Sequence, residues 1–397
     1  MRLIKTSIIP GEVVSIMTEN NGSFKFPIGY HKFHKNQFFN FPLNRWFALG
    51  YAELGDMEEA GKRINTMKDW KCAMVKLADQ AISDNRLMNT AFYYRAAELY
   101  VSAEDPEKSL LYDRFINLFY VAFKHDRIDR HKVPYENAFL PALMIPAASG
   151  RKGVILLHGG FDSFIEEWFS IMKYFSNLGY DVIGFEGPGQ GAALRKYGIP
   201  LRYEWEKPVK AVLDYFNVDD VTLIGLSMGG WFGLRAAAFE SRIKRVIASG
   251  HAIDYMKSMN YIFRKIHLWC YTHCRDFMVR MAVMKMRKEG IFSWTVKHLM
   301  YITKREKPMD ALEIYLLMNE KNIHSELVKQ DVLILTGRED HLIPFKMHDM
   351  QINALINARS VTGRVFTKRE HAQNHCQTGN IGLALDVMEN WIKEKSL

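Results

Sequence analysis

The sequence predicts an α/β protein: a mostly parallel, doubly wound sheet with a helical domain ahead of it and a helical insertion within it. After residue 126, short runs of Val, Ile and Leu alternate with helical segments, and several of the runs end at glycine. Continuous apolar runs are typical of central parallel strands that are covered on both faces. The predicted strands are residues 140–145, 153–157, 181–185, 221–226, 245–249, 332–336 and 363–367.

Length and composition indicate one large domain with additions, or two to three smaller units. The chain has 397 residues, of which 48% are hydrophobic and 13% aromatic, and this composition excludes a disordered or collagen-like chain. Residues 1–40 lack sustained periodicity and predict an extended arm that packs on something larger. Residues 41–125 predict a helical domain, with helices at 56–69, 70–84, 85–101 and 107–124.

The predicted α/β core comprises residues 126–250 and 330–397, and a long helical insertion separates its two parts. The insertion is far longer than an ordinary connection between a helix and a strand. We therefore predict that residues 251–329 form a lid. Their methionines and aromatic side chains suit the wall of an apolar ligand pocket, although the same pattern also fits plain helix packing.

The net charge of +9 is concentrated in the same insertion. Residues 251–310 contain twelve Lys and Arg against five Asp and Glu. A solvated helical face, or a surface that engages an acidic partner or a membrane, would produce such an excess. Nucleic-acid binding is not expected, because the basic residues lie in an apolar-rich segment without a recognisable reader motif.

The sequence predicts a cytoplasmic protein without a membrane span. Charge and Pro10 interrupt the N-terminal apolar stretch before it reaches the length of a secretion signal. The longest nearly apolar run, residues 138–148, contains two prolines and is shorter than the roughly 18 residues that a spanning helix needs. Four scattered cysteines are too few for a disulfide framework, which fits a reducing compartment.

The segment 225–230, Gly-Leu-Ser-Met-Gly-Gly, contains the pattern G-x-S-x-G between a predicted strand and a predicted helix. In this context the serine occupies a strained turn that exposes its hydroxyl, and the flanking glycines avoid collisions with neighbouring backbone. Ser227 is therefore the predicted nucleophile. A serine hydroxyl needs a histidine base oriented by a carboxylate, which should follow it in the order Ser, Asp or Glu, His.

Both partners have candidates after later predicted strands. Asp340 follows the strand at 332–336, at the strand end where open α/β sheets place their sites, and Glu339 is the alternative. His371 and His375 both follow the last strand, and their positions alone do not distinguish them.

Backbone N–H groups are expected to stabilise the oxyanion of a tetrahedral intermediate. The candidates are the N–H of Met228, next to the nucleophile, and that of Gly160 or Phe161 in the loop after an earlier strand. The glycine-rich turn at 187–191 has the spacing of neither a P-loop nor a dinucleotide fingerprint, so we interpret it as structural.

These motifs together resemble the α/β-hydrolase superfamily. The resemblance rests on His158-Gly159-Gly160, the turn at 187–191, the segment 225–230, Asp340 with Pro344, and His375-Cys376-Gln377. The helical N-terminal region with residues 41–46, and the segment 161–167, resemble a narrower group. That group contains 2,6-dihydroxypseudooxynicotine hydrolase, the fungal pigment polyketide-shortening hydrolases and relatives of the fermentation-respiration switch protein.

The resemblance implies the α/β-hydrolase fold, a triad of Ser227, Asp340 and His375, and no metal or organic cofactor. His375 is preferred over His371 because it matches the His-Cys-Gln signature. Asp162 matches an acidic position that some carbon–carbon hydrolases of the group use near the oxyanion hole, while a loop-capping carboxylate is the other interpretation. The resemblance also suggests a homodimer.

The sequence thus predicts a serine hydrolase that acts through an acyl-enzyme on a small ketone or ester with an apolar or aromatic body. Cleavage of a carbon–carbon bond next to the carbonyl is one version, in which His375 or Asp162 supplies a proton to the leaving group. A carboxylesterase or acyltransferase with the same triad is an alternative. A non-catalytic binding protein built on the same shell is another.

Overall fold

A computed structural model describes residues 24–396, and a sheet of eight strands lies at its centre. The strands follow the spatial order β1-β2-β4-β3-β5-β6-β7-β8. The first two pair antiparallel, β2 also runs antiparallel to β4, and the remaining pairs are parallel. The strands are β1 Asp129–Tyr135, β2 Ala138–Ile145, β3 Gly153–His158, β4 Tyr180–Phe185, β5 Val221–Leu226, β6 Ile243–Ser249, β7 Asp331–Gly337 and β8 Ser360–Phe366.

The seven predicted strands are all present, and the predicted fold class is confirmed. The prediction missed β1, whose sequence Asp-Arg-His-Lys-Val-Pro-Tyr contains no apolar run. Within the described residues this strand lies at the edge of the sheet and pairs with β2 alone, so alternate side chains face solvent and remain polar. The other edge strand, β8, begins three residues before its predicted start. The prediction missed these residues because they are only half-buried and do not form an apolar run.

Fifteen α-helices accompany the strands within residues 24–396. They are α1 Gln37–Ala48, α2 Leu54–Arg63, α3 Met67–Ser83, α4 Leu87–Leu99, α5 Glu107–Ala122, α6 Phe169–Asn177, α7 Gly191–Arg195, α8 Glu206–Phe216, α9 Met228–Phe239, α10 Tyr261–His273, α11 Arg275–Met286, α12 Ile291–Thr303, α13 Pro308–Leu316, α14 Lys346–Ala354 and α15 Ile381–Lys395. The segment between β6 and β7 contains α10 to α13, so it is helical as expected. No helix in this part of the chain combines the length and apolarity needed to cross a bilayer.

The N-terminal region differs in detail from the prediction. The predicted arm over residues 1–40 lies largely outside the described residues, and α1 begins within its last part. Asn36 caps α1 by accepting a hydrogen bond from the Phe38 N–H. The boundary between α2 and α3 falls at residues 64–66 rather than at 69, because Thr66 and Asp69 form a reciprocal capping box.

Successive side chains along the central strands point to opposite faces of the sheet, and each face is covered. In β3, Ile155 and Leu157 belong to the core under α1 to α6 and α15, whereas Val154 and Leu156 belong to the core under α7, α8, α9 and α14. This period of two explains why the strands read as continuous apolar runs. The N-terminal helices therefore pack on one face of the sheet.

Candidate active site

Ser227 occupies the sharp turn between β5 and α9. Its backbone has φ 60° and ψ −130°, a conformation that L-residues rarely adopt. A Cβ on Gly225 would lie 2.1 Å from the carbonyl oxygen of Gly229, so the chain can turn this tightly only with glycine there. The turn presents the partly exposed Ser227 side chain at the carboxyl end of the sheet.

Ser227, His375 and Asp340 are connected by two contacts of hydrogen-bond length. The Ser227 Oγ is 2.9 Å from the Nε2 of His375, and the Nδ1 of His375 is 2.7 Å from the Oδ2 of Asp340. The alternatives that the sequence left open, His371 and Glu339, are both exposed. The structure thus brings together Ser227, His375 and Asp340, in the geometry of a nucleophile, a base and an orienting carboxylate.

The second oxygen of Asp340 is fixed by backbone. Its Oδ1 accepts hydrogen bonds from the N–H groups of Leu342 at 2.8 Å and Ile343 at 2.9 Å. Burial raises the pKa of Asp340, but the interaction with His375 and these N–H donors outweigh it, so the pKa lies below its usual value. Burial likewise lowers the pKa of His375, whereas the Asp340 carboxylate raises it well above the ordinary value.

The His-Cys-Gln segment forms the tight turn that orients His375. Cys376 and Gln377 have φ values of 49° and 53°, two successive residues in the left-handed region. The buried Gln377 side chain accepts a hydrogen bond of 2.8 Å from the Ser249 hydroxyl at the end of β6. The Ser249 carbonyl in turn accepts the Ser227 N–H at 2.8 Å, so one residue connects the base turn to the nucleophile turn.

The predicted oxyanion-hole residues lie together. The N–H of Met228 is the first of α9, so it has no partner within that helix. Gly160 lies directly against it, because a Cβ on Gly160 would be 2.6 Å from the Met228 nitrogen. The buried Gln190 supports this loop: its Nε2 donates to the carbonyls of Gly159 at 2.9 Å and Gly160 at 2.7 Å. The turn at 187–191 thus contacts this loop through Gln190.

Asp162 continues the same loop and is paired with two cationic or potentially cationic groups. Arg195 on α7 binds both carboxylate oxygens, at 2.8 and 3.3 Å, and the Nε2 of His298 on α12 is 3.0 Å from Oδ2. Burial raises the pKa of Asp162, but Arg195 and His298 outweigh it and hold the pKa well below the usual range. An ionised Asp162 has no proton to donate, so this arrangement favours an anchoring role over that of an acid.

Asp162 and Arg195 are part of a larger buried ionic cluster that joins the N-terminal helices to residues 159–162, which we call the oxyanion loop because it carries the predicted oxyanion donors. Glu98 on α4 contacts Arg195 at 2.9 Å, Lys108 at 2.7 Å and Arg95 at 2.5 Å. Arg95 also contacts Glu167, and Arg45 on α1 binds the other oxygen of Glu167. A buried charge without its partner is costly, so these residues depend on one another.

Sequence reasoning missed the residues that hold the loop. Gln190 lies in a turn that the sequence singled out, but its side-chain role had no sequence signal. Arg195, Glu98 and His298 come from three separate helices, and each reads in isolation as a surface polar residue. Within residues 24–396, no group of three or more His, Cys, Asp or Glu side chains is placed to hold a metal ion.

The order of the strands and the comparisons with known proteins show that the chain has the α/β-hydrolase fold. A family profile described as alpha/beta hydrolase fold matches residues 153–269. Among curated proteins, the chain is similar to the alpha/beta hydrolase psoB of Aspergillus fumigatus, with 33% identity over 263 residues, 55% of this chain and 59% of that protein. It is also similar to the alpha/beta hydrolase ucsC of an Acremonium species, with 32% identity over 58% of this chain and 57% of that protein.

Two solved structures share the architecture over most of the chain. The 2,6-dihydroxy-pseudo-oxynicotine hydrolase aligns with a TM-score of 0.63 at 19% identity, covering 89% of this chain and 95% of that one. AbyA5 aligns with a TM-score of 0.65 at 16% identity, covering 86% of this chain and 90% of that one. At these identities the likeness shows the fold. The matched segments span less than two thirds of the length of psoB and ucsC.

Proposed function

We propose that this chain is a cofactor-independent serine hydrolase that acts through an acyl-enzyme on a small ketone or ester. The observation that carries the proposal is the continuous chain of contacts from the Ser227 hydroxyl through His375 to the buried Asp340. The strained backbone of Ser227 supports it as well, because strain of this kind is characteristic of a nucleophile turn.

In the proposed reaction, the Nε2 of His375 takes the Ser227 proton as Oγ attacks the substrate carbonyl carbon. The resulting oxyanion is stabilised by the Met228 N–H and by the N–H of Gly160 or Phe161. The bond to the leaving group then breaks, and the imidazolium of His375 returns the proton to that group. Water then attacks the acyl-enzyme as His375 takes its proton, and the acid is released as His375 returns that proton to the Ser227 Oγ.

We propose a carbon–carbon bond next to the carbonyl as the bond that is cut, on the strength of the sequence resemblance. The leaving group is then an enolate, which needs a proton. His375 is the assigned donor, because it carries the proton taken from Ser227 and the low pKa of Asp162 leaves that carboxylate ionised. Asp162 is assigned to hold the oxyanion loop through Arg195.

An apolar or aromatic substrate body is supported by the aromatic residues beside the triad. The Phe41 ring of α1 is 5.7 Å from the His375 ring and 4.8 Å from the His341 ring. The Phe161 ring lies 5.2 Å from His298 of the insertion. A ketone or ester with an apolar body would contact these rings favourably.

Labelling with a fluorophosphonate, followed by intact-protein mass spectrometry, tests the triad. We expect one adduct on the wild type, none on Ser227→Ala, and a rate near zero for His375→Ala. The exposed His371→Ala variant is the matched control and should label like the wild type. An unlabelled wild type, or loss of labelling in His371→Ala, would contradict the proposal.

A substrate panel tests the bond. We expect turnover of aryl 1,3-diketones, with one acid and one ketone as products. Hydrolysis of simple activated esters together with inertness toward 1,3-diketones would instead make the chain a carboxylesterase with the same triad.

We further propose that the protein is a cytoplasmic homodimer, as the resemblance and the sequence suggest. Light scattering of the purified chain gives its mass, and a monomer across the micromolar range would exclude the dimer.

A further inference from the structure

One surface of the insertion is apolar and has no partner in the described chain. We call residues 259–292, which comprise α10, α11 and the start of α12, the outer helical face. They contain twelve of the 23 large hydrophobic residues that are exposed within residues 24–396. The twelve are Met259, Tyr261, Ile262, Phe263, Ile266, Leu268, Trp269, Phe277, Val283, Met284, Ile291 and Phe292.

The helices of this face lack the buried side that folded helices normally have. No residue of α10 is buried, and Ala282 is the one buried residue of α11. The Phe263 side chain is 71% exposed and Trp269 is 57% exposed. A helix that is apolar on most sides is ordinarily buried, and a contiguous exposed apolar surface of this kind marks an interaction site.

The same face is strongly cationic. Residues 259–292 contain seven Lys and Arg against two Asp and Glu. Within the described part of the chain, only Arg275 of these seven forms ion pairs, with Asp310 and Glu313. Exposed cations without counter-charges are spread along the face, namely Lys265, Arg280, Lys285, Arg287 and Lys288.

The charge decides between the possible occupants. A second copy of the chain would meet this face with the same face in a two-fold interface, and the unpaired cations of the two copies would repel one another. An anionic lipid surface satisfies both features, because aromatic and aliphatic side chains enter the headgroup region while Lys and Arg contact lipid phosphates.

We propose that the outer helical face docks the protein on an anionic lipid surface as a peripheral, non-spanning attachment. This inference goes beyond the proposed function and does not depend on the triad. The docked insertion is also connected to the catalytic end, since His298 on α12 contacts Asp162 beside the oxyanion loop. Apolar substrates dissolved in the lipid would then be concentrated near the site.

Co-sedimentation of the full chain with vesicles tests the docking. Vesicles of phosphatidylcholine with added phosphatidylserine should bind the protein. Pure phosphatidylcholine vesicles should bind it at least about tenfold more weakly, because each basic residue near an anionic surface contributes roughly 1 kcal/mol to binding. Raising the salt concentration should release the protein. The Ser227→Ala variant should bind vesicles like the wild type, because the proposed surface does not include the triad. Vesicle binding and fluorophosphonate labelling therefore test the docking proposal and the catalytic proposal independently.

Matched double variants locate the surface. Ile262→Glu with Phe263→Glu should lower vesicle binding by about tenfold or more, because it places two carboxylates in the apolar contact. Ile356→Glu with Leu110→Glu is the control, since these side chains are 73% and 60% exposed elsewhere on the chain. Circular dichroism should show both variants folded.

Three results would overturn the proposal. The first is equal binding to vesicles with and without phosphatidylserine. The second is equal loss in the two double variants. The third is a wild type that forms a dimer by light scattering but does not bind vesicles, with the dimer dissociating in Ile262→Glu with Phe263→Glu. That result would assign the face to a second copy of the chain.

Discussion

Replacing Asp340 with Asn is the substitution that most directly probes the site, because the structure determines how the new amide must sit. The Oδ1 position accepts two backbone N–H groups, from Leu342 and Ile343. The Asn oxygen must occupy that position, since an NH₂ group there would face two donors. The Asn NH₂ therefore points at the Nδ1 of His375 and forces the proton of the neutral ring onto Nε2, where it can no longer accept from Ser227.

The size of the effect follows from the cost of the opposite amide orientation. Turning the Asn oxygen toward His375 restores the working tautomer but leaves the two backbone N–H groups without an acceptor. At about 2 kcal/mol each, this costs about 4 kcal/mol. Because each 1.36 kcal/mol corresponds to roughly tenfold in rate, fluorophosphonate labelling should slow by about 10³-fold.

The assay is the second-order rate of labelling as a function of pH. In the wild type the rate should rise with pH through an apparent pKa above the ordinary value for His, because Asp340 favours the charged ring. In Asp340→Asn that midpoint should fall, since the carboxylate that raises the pKa of His375 against the effect of burial is lost. Glu339→Gln is the matched control and should change neither rate nor midpoint. A labelling rate in Asp340→Asn above one tenth of the wild-type rate would refute the reasoning.

Three further predictions concern the packing around the site. Burial raises the pKa of Glu166 to about 7, against 4.5 in the unfolded chain, so the stability of the wild type falls as the pH rises between these values. Above pH 7, Glu166→Gln should therefore be more stable than the wild type by up to about 3 kcal/mol, measured by urea titration. Gln190→Leu leaves two loop carbonyls without donors, so it should lower the free energy of unfolding by about 2–4 kcal/mol and slow fluorophosphonate labelling. A labelling rate equal to that of the wild type would argue against the supporting role of Gln190. Arg195→Met removes a buried partner of Asp162 and should lower the free energy of unfolding by about 3–5 kcal/mol. The double variant Arg195→Met with Asp162→Asn should recover part of this loss, and additive losses of the two substitutions would contradict the pairing.

Much of the fold and of the nucleophile turn could be read from local sequence. The central strands were predictable because strands covered on both faces form nearly continuous apolar runs, and the edge strand β1 was missed because half of it faces water. Ser227 was predictable because the turn conformation imposes glycine on its neighbours. These features depend on residues close together in the chain, so their signals are written in a few consecutive positions.

The choice between His371 and His375 from position alone, and the attachment of the oxyanion loop, were decided by tertiary structure. Both histidines follow the same strand, and only the left-handed turn at residues 376–377 aims one of them at Ser227. Arg195 and Glu98 come from separate helices, and each alone resembles a surface charge. Their pairing depends on distances between elements far apart in the chain, which the folded packing sets and a local pattern does not encode.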